Sequence, residues 1–297
     1  MPVLPPYLKK GDTILIIGTA RARNEEAIRP AIDLLIAWGL IPVCGKNLYK
    51  KENQFAGSDK ERSHDLKWAI RHKKAKAVLI AGGGYGTMRI IDQTDFSPLK
   101  QYPKWFIGYS DTTVLHARLT KIGMACLHAT MAFQFTKNQT ATLALKNVLF
   151  GETPVYSIPA HPLNRKGKAE GIVVGGNLSL IYALSGSMDD LNTKNKILFI
   201  EDLDEQLYHI DRMMLQLKRS GKLKHLKALV VGGMTDMKDN AVPFGKTAEE
   251  IIYDAVKSYK YPVCFNFPAG HIDMNMPLIL GKKAFLNINK NKISFNY

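Results

Sequence analysis

Three places in this sequence hold residues whose type and spacing suit chemistry. In the first, Phe106-Ile107-Gly108-Tyr109-Ser110-Asp111-Thr112, an apolar strand runs straight into a helix, with Ser110 at the junction. A sharp turn there lifts a hydroxyl above the sheet and points helix N-terminal amides at it, which is the geometry of a nucleophile elbow. The usual pattern has a second glycine two residues after the serine, and Thr112 stands at that position. The bland alternative is a serine that only caps the helix, since Ser before Asp is common at helix starts.

The second place is the glycine-rich loop from Ala81 to Thr87, Ala-Gly-Gly-Gly-Tyr-Gly-Thr. Glycines after a buried strand let another backbone approach closely and expose N–H groups that suit an anion. The anion is left open: a phosphate, a carboxylate or the oxyanion of acyl transfer. The loop is neither G-x-G-x-x-G nor a P-loop with its Lys-Ser/Thr ending. It is similar to the Gly-Gly-Asp-Gly-Thr loop of NAD and lipid kinases, but Tyr85 replaces the aspartate those kinases need.

The third place joins two segments of the second half. Ile197-Leu198-Phe199-Ile200-Glu201-Asp202 ends an apolar strand in carboxylates, and the C-terminal ends of strands are where α/β proteins place their sites. Asp202 or Asp204 is suited to cap the following helix, whereas Glu201, against the apolar run, is less easily explained. His271 lies in Phe267-Pro268-Ala269-Gly270-His271, where Pro and Gly dictate the backbone path. Among the other histidines, His116 should point away from Ser110 along its helix, and His64, His72 and His225 read as surface helix residues. His128, after a strand end, competes with His271. The chain order Ser110, Glu201, His271 matches a Ser–acid–His triad.

The elements that must position these groups alternate. Thr13–Ile17, Ala77–Ile80, Trp105–Gly108 and Met124–Leu127 read as buried strands, and Glu25–Trp38, Asp59–His72 and Asp111–Lys121 as helices, with a further helical stretch to about Ile91. Such a βαβ series makes a doubly wound sheet with helices on both faces. From Thr153 to Gly171 the chain is rich in Pro, Lys and polar residues, which oppose regular helix and mark a crossing between domains. Beyond it strands at Ile172–Val174, Ile197–Ile200 and Ala228–Val231 mix with helices from about Asn177, Asp204 and Lys246. Short β-rich pieces follow, with turn signals at Gly281 and Asn289-Lys290-Asn291.

Composition limits the possibilities further. The chain has 297 residues, 46% hydrophobic and 23% charged, as expected of one large or two ordinary globular domains. Neither a signal segment nor a bilayer-length apolar run is expected, so the reading is of a cytoplasmic protein with no membrane partner. Cys44, Cys126 and Cys264 lack metal-site or disulfide spacing. The formal net charge is +15, but the basic residues are spread and no nucleic-acid reading module accompanies them. They read as a solvated surface, with electrostatic steering of an acidic substrate as a second use.

Several motifs, taken in order, carry a resemblance over nearly the whole chain. They are Pro5-Pro6-Tyr7-Leu8-Lys9-Lys10-Gly11-Asp12, Gly83-Gly84-Tyr85-Gly86, Ile107-Gly108-Tyr109-Ser110-Asp111, His128, Gly175-Gly176-Asn177-Leu178, Phe199-Ile200-Glu201-Asp202 and Pro268-Ala269-Gly270-His271. With these the chain resembles the serine L,D-carboxypeptidases of peptidoglycan recycling, the muramoyl-tetrapeptide carboxypeptidase family (peptidase family S66).

The resemblance implies an α/β fold: a doubly wound, flavodoxin-like N-terminal domain, residues 1–150, carrying Ser110, and a linker, residues 151–170. A smaller β-rich α/β C-terminal domain, residues 171–297, carries Glu201 and His271. It implies a homodimer acting on a murein tetrapeptide or muropeptide, with no cofactor and no metal. Ser110 is then the nucleophile, His271 the general base and acid, and Glu201 the group that orients the imidazole. The N–H groups of Asp111 and Gly84 form the oxyanion hole, with Gly83 and Tyr85 beside it. Two positions depart from the family pattern: Gly82 where many members have Arg, and Ala129-Thr130 where Gly-Pro often follows the histidine. A related branch, the microcin C self-immunity peptidases, offers a second enzymatic reading. A nucleotide-binding protein using Gly82 to Gly86 is the alternative from another class.

Overall fold

The protein is described from a computed structural model covering residues 2–289 and 292–297. Met1, Lys290 and Asn291 lie outside the described residues, and with them two positions of the expected turn at Asn289-Lys290-Asn291. The chain packs into two compact units. One runs to Pro154 and takes back Met276–Ile279; the other comprises Val155–Asn275 and Leu280–Tyr297.

The first unit contains β1 (Thr13–Ile17), α1 (Glu25–Ala37), β2 (Ile41–Cys44), α2 (Asp59–Arg71), β3 (Ala75–Ile80), α3 (Thr87–Ile90), β4 (Trp105–Gly108), α4 (Thr113–Lys121), β5 (Cys126–His128) and α5 (Gln139–Leu149). The strand order β2-β1-β3-β4-β5, with every one of these pairs parallel, is that of a flavodoxin-like doubly wound sheet. Every residue of β4 is buried, as expected of a strand covered on both faces. Two helices start where the sequence supplies caps: on α1 Asn24 accepts from Ala27 N, and on α2 Ser58 with Glu61 forms a capping box. The strand β2 was not marked by apolar pattern, because this edge strand is short, contains Pro42 and is only partly buried.

The second unit contains β6 (Gly167–Asn177), α6 (Leu178–Ala183), β7 (Ile197–Leu203), α7 (Leu207–Arg219), β8 (Ala228–Thr235), α8 (Ala248–Val256), β9 (Val263–Cys264), β11 (Lys283–Ile288) and β12 (Ile293–Asn296); β10 (Leu278–Leu280) falls mostly in the segment returned to the first unit. Its sheet, β12-β11-β6-β7-β8-β9, is parallel from β6 to β9 and antiparallel from β6 outward to β12. The strand β10 instead borders β5 in the first sheet, a return that no local pattern announces.

The helix expected from Asp204 begins later, at Leu207. Asp204 takes a positive φ of 61°, outside any helix or cap geometry, and Gln206 occupies the cap position. His225 is exposed in a turn rather than in a helix. All three cysteines are free thiols, with Cys126 and Cys264 buried. Among the described residues no helix is long and apolar enough to cross a membrane.

Candidate active site

The serine elbow is built by sterics. Gly108 ends β4, Tyr109 stays extended, and Ser110 turns into the left-handed region at φ 63° before a short 3-10 turn leads into α4. A non-glycine residue at positive φ is strained and persists only where its surroundings enforce it. An N-cap serine needs extended backbone, so this φ excludes the simple capping role. Two glycines leave the room: a Cβ on Gly108 would lie 2.6 Å from Thr112 Oγ1, and one on Gly83 would lie 3.0 Å from Ser110 Cβ. Thr112 itself has ordinary helical angles, φ −63° and ψ −15°, so the glycine usual at that position is not required here.

The loop after β3 folds onto this elbow. Gly84 and Gly86 have φ of 108° and 149°, conformations that favour glycine. Asp111 is buried, and its Oδ2 accepts the N–H of Thr87 at 2.9 Å, tying the start of α3 to the elbow. Burial raises the Asp111 pKa, against the opposing hydrogen bonds of Thr87 and Gly86. Tyr85 is exposed at the loop tip, next to Phe55. Thr87 Oγ1 donates to Thr19 Oγ1 at 2.9 Å. The three consecutive glycines meet three different side chains: Gly82 faces Arg23, Gly83 faces Ser110 and Gly84 faces Arg21. A Cβ on Gly82 would sit 2.5 Å from Arg23 Nε, so an arginine at position 82 and the present Arg23 side chain exclude one another.

In the second unit Glu201 and His271 form a close pair. His271 Nδ1 lies 2.6 Å from Glu201 Oε2, and the His271 backbone N–H donates to the same oxygen at 3.1 Å. The β7–β8 register slips between Ile200 and Asp202, and such an irregularity re-aims side chains at a strand end. Adjacent strand residues point to opposite faces. Glu201 accordingly meets the His271 loop, while Asp202 receives Asn177 Nδ2 at 2.7 Å and Ser179 N at 2.8 Å at the start of α6. Asp202 thus serves α6 rather than the helix after it.

The His271 loop is fixed by its own contacts. Gly270 has φ 110°, and a Cβ there would lie 2.7 Å from Glu201 Cβ and Oε2. Gly270 N donates to Asn275 Oδ1 at 2.9 Å, and Thr235 Oγ1 donates to the His271 carbonyl at 2.7 Å. A Cβ on Gly232 would press within 2.3 Å of the Ala269 carbonyl oxygen. Thr235, Asn275 and Gly232 were not evident from sequence; the only signal was the Gly232-Gly233 pair at a strand end.

Electrostatics separate the carboxylates and the imidazole. Burial opposes the imidazolium of His271, but the charge and hydrogen bond of Glu201, with Asp202 adding, outweigh it and raise the pKa above 6.5. Asp202 is pushed up to about 7, first by burial and then by the charge of Glu201. With Nδ1–H donated to Glu201, Nε2 is left as the basic nitrogen of a neutral His271. The competitor His128 is fully buried in the first unit, edge-on to Tyr109 and near His116. His116 is also fully buried, and burial depresses its pKa to about 3.

Comparison with known proteins gives a consistent picture. Residues 14–129 match the LD-carboxypeptidase N-terminal domain and residues 170–286 the LD-carboxypeptidase C-terminal domain. The chain is 36% identical over 294 residues to the Bacillus subtilis "Probable murein peptide carboxypeptidase", covering 95% of this chain and 91% of that one. The crystal structure of muramoyltetrapeptide carboxypeptidase from Oxalobacter formigenes matches with a TM-score of 0.87 at 28% identity, over 96% of this chain and 98% of that one. The microcin C7 self immunity protein MccF shares the fold, with a TM-score of 0.87 at 21% identity over 100% of this chain and 99% of that one.

Proposed function

Since the chain belongs to the LD-carboxypeptidase family, peptidase S66, and is a serine-type carboxypeptidase, we propose that it releases the terminal D-alanine from murein tetrapeptides in peptidoglycan recycling. In this reading Ser110, His271 and Glu201 are its triad. The observation that carries it is the 2.6 Å contact between His271 Nδ1 and Glu201 Oε2, which leaves Nε2 as a base. The strained elbow supplies the matching nucleophile.

His271 takes the Ser110 proton as Oγ bonds to the carbonyl carbon before D-alanine, and the carbonyl electrons move to oxygen. The N–H groups of Asp111 and Gly84 receive that oxyanion; one such donor is typically worth about a hundred- to a thousandfold in turnover. The C–N bond then breaks, His271 returns the proton to the leaving amine, and water hydrolyses the acyl-serine by the reverse proton route. Glu201 holds the tautomer and balances the imidazolium. Functionally, residues 1–150 bring the nucleophile and 171–297 the acid–base pair, joined through 151–170. Action as a homodimer in the cytoplasm completes the proposal.

The purified protein should release D-alanine from a tetrapeptide ending in L-Lys or meso-diaminopimelate followed by D-Ala, scored by mass spectrometry. Unchanged release by Ser110→Ala would disprove the assignment of the nucleophile. The positive charge enters as steering: kcat/KM for an anionic muropeptide should fall with ionic strength, and insensitivity would leave it a solvated surface.

A further inference from the structure

The chemistry of the glycine loop is not exhausted by the oxyanion. A carboxypeptidase must tell a free chain end from an internal bond, and nothing in the proposed triad does so. The residues that pack on Gly82, Gly83 and Gly84 are Arg23, Ser110 and Arg21, so the nucleophile is flanked along one loop by two guanidinium groups. All six belong to the same unit.

Neither arginine has a carboxylate partner among the described residues, unlike Arg29, Arg62, Arg89 and Arg118, each of which pairs with Asp or Glu. Arg23 is held rather than free to swing. Its guanidinium carbon lies 3.8 Å from the centre of the Phe133 ring, and its Nε is buried against Gly82 without a hydrogen-bond partner. Arg21 is tied through its backbone: its N–H donates to the Gly83 carbonyl at 3.2 Å, and it bridges to Phe55. Burial, and then the charge of Arg21, push the Arg23 pKa below its ordinary value. Arg23, partly buried beside the like charge of the exposed Arg21 and without a carboxylate partner among the described residues, carries an electrostatic cost that a bound anion removes.

We propose that Arg21 and Arg23 form the subsite that binds the free C-terminal carboxylate of the peptide, and so make the enzyme an exopeptidase. The planar guanidinium offers the paired donors that a carboxylate accepts. The glycines at 82 and 84 then have a purpose beyond the oxyanion: a side chain at 82 would displace Arg23, and one at 84 would press on Arg21 Cβ, 3.0 Å away. The inference rests on the peptidase reading given above.

The test compares a tetrapeptide with its C-terminal amide as substrates of the wild type, Arg23→Met and Arg21→Met. The wild type should favour the acid, and each substitution should cut the acid-to-amide ratio of kcat/KM by about 10- to 100-fold, the worth of one charge-assisted hydrogen bond or a bidentate pair. Calorimetric titration of Ser110→Ala, with and without the arginine changes, reads the same preference without turnover. A wild type that turns over the acid while both variants keep its full acid-to-amide ratio would overturn the arginine assignment alone. No turnover by the wild type, together with arginine-dependent binding of the acid to Ser110→Ala, would sink the peptidase reading and keep the carboxylate subsite. Inorganic phosphate or AMP binding more tightly than the tetrapeptide acid, and lost on Arg23→Met, would overturn the carboxylate in favour of a phosphate ligand.

Discussion

The serine elbow and the Glu201–His271 pair are held by different forces. Around Ser110 the determinants are steric: positive φ, two glycines stripped of Cβ atoms, and a buried Asp111 anchoring Thr87. Around His271 they are electrostatic: a buried carboxylate on a displaced strand end, receiving two hydrogen bonds from the residue it orients. A nucleophile needs a fixed position, which backbone geometry supplies. A proton carrier needs a tuned pKa, which only charge and burial supply. The two regions should therefore respond differently to substitution.

The largest effect should be on turnover. His271→Ala should lose about 10⁴- to 10⁶-fold in kcat with the fold intact by circular dichroism, since triad members act as a unit. Retention of more than a few per cent of the rate would remove His271 from the mechanism. Glu201→Gln comes next, at about 10⁴-fold, because a neutral amide no longer fixes the tautomer.

The pH profile sharpens the contrast. The base must be neutral, so kcat/KM should rise through an acid limb above about 6.5, the ordinary value from which His271 is raised. In Glu201→Gln burial acts without the opposing charge, and the limb should move to lower pH. A limb that stayed in place would mean that Glu201 does not set the titration. The sign for stability follows from the same raised pKa: the pair's contribution is complete below the unfolded value near 6.5 and is lost as pH rises through the folded one.

Smaller effects probe sterics. Gly270→Ala combines φ 110° with a contact of 2.7 Å to Glu201 and should cost about 1–3 kcal/mol in denaturant unfolding, with slower turnover. At the elbow the expectation reverses. Ser110→Gly removes left-handed strain and should leave stability unchanged or raised by up to about 1 kcal/mol, with turnover lost. Thr112→Gly, which restores the second glycine of the elbow pattern, should lower stability by about 0.5–1 kcal/mol without raising the rate, because Thr112 already has helical angles. A gain in rate would show that the missing glycine matters after all.

Much of the first sheet was legible because β1, β3 and β4 are short apolar runs, each followed by a helical segment, and local pattern carries that information. The strand β2 was not, since an exposed edge strand has no strong periodicity. Likewise Asp204 looked like a cap only because its φ cannot be read from its type. Ser110, Glu201 and His271 stood out through chain order and neighbours such as Gly108 and Gly270. Arg21 and Arg23 did not, because what marks them is contact with a loop about sixty residues away, and contact across that separation leaves no local trace.

Residue type and order alone therefore determined an α/β chain with an elbow serine, a strand-end glutamate and a histidine behind a Pro-Ala-Gly turn. These are matters of pattern, propensity and a few glycines. Only the tertiary structure decided that Thr112 can replace a glycine, that Asp202 serves α6, that β10 joins the first sheet, and that Arg23 fills the space beside Gly82. Each depends on a backbone angle, a strand register or a packed side chain fixed by groups distant in sequence.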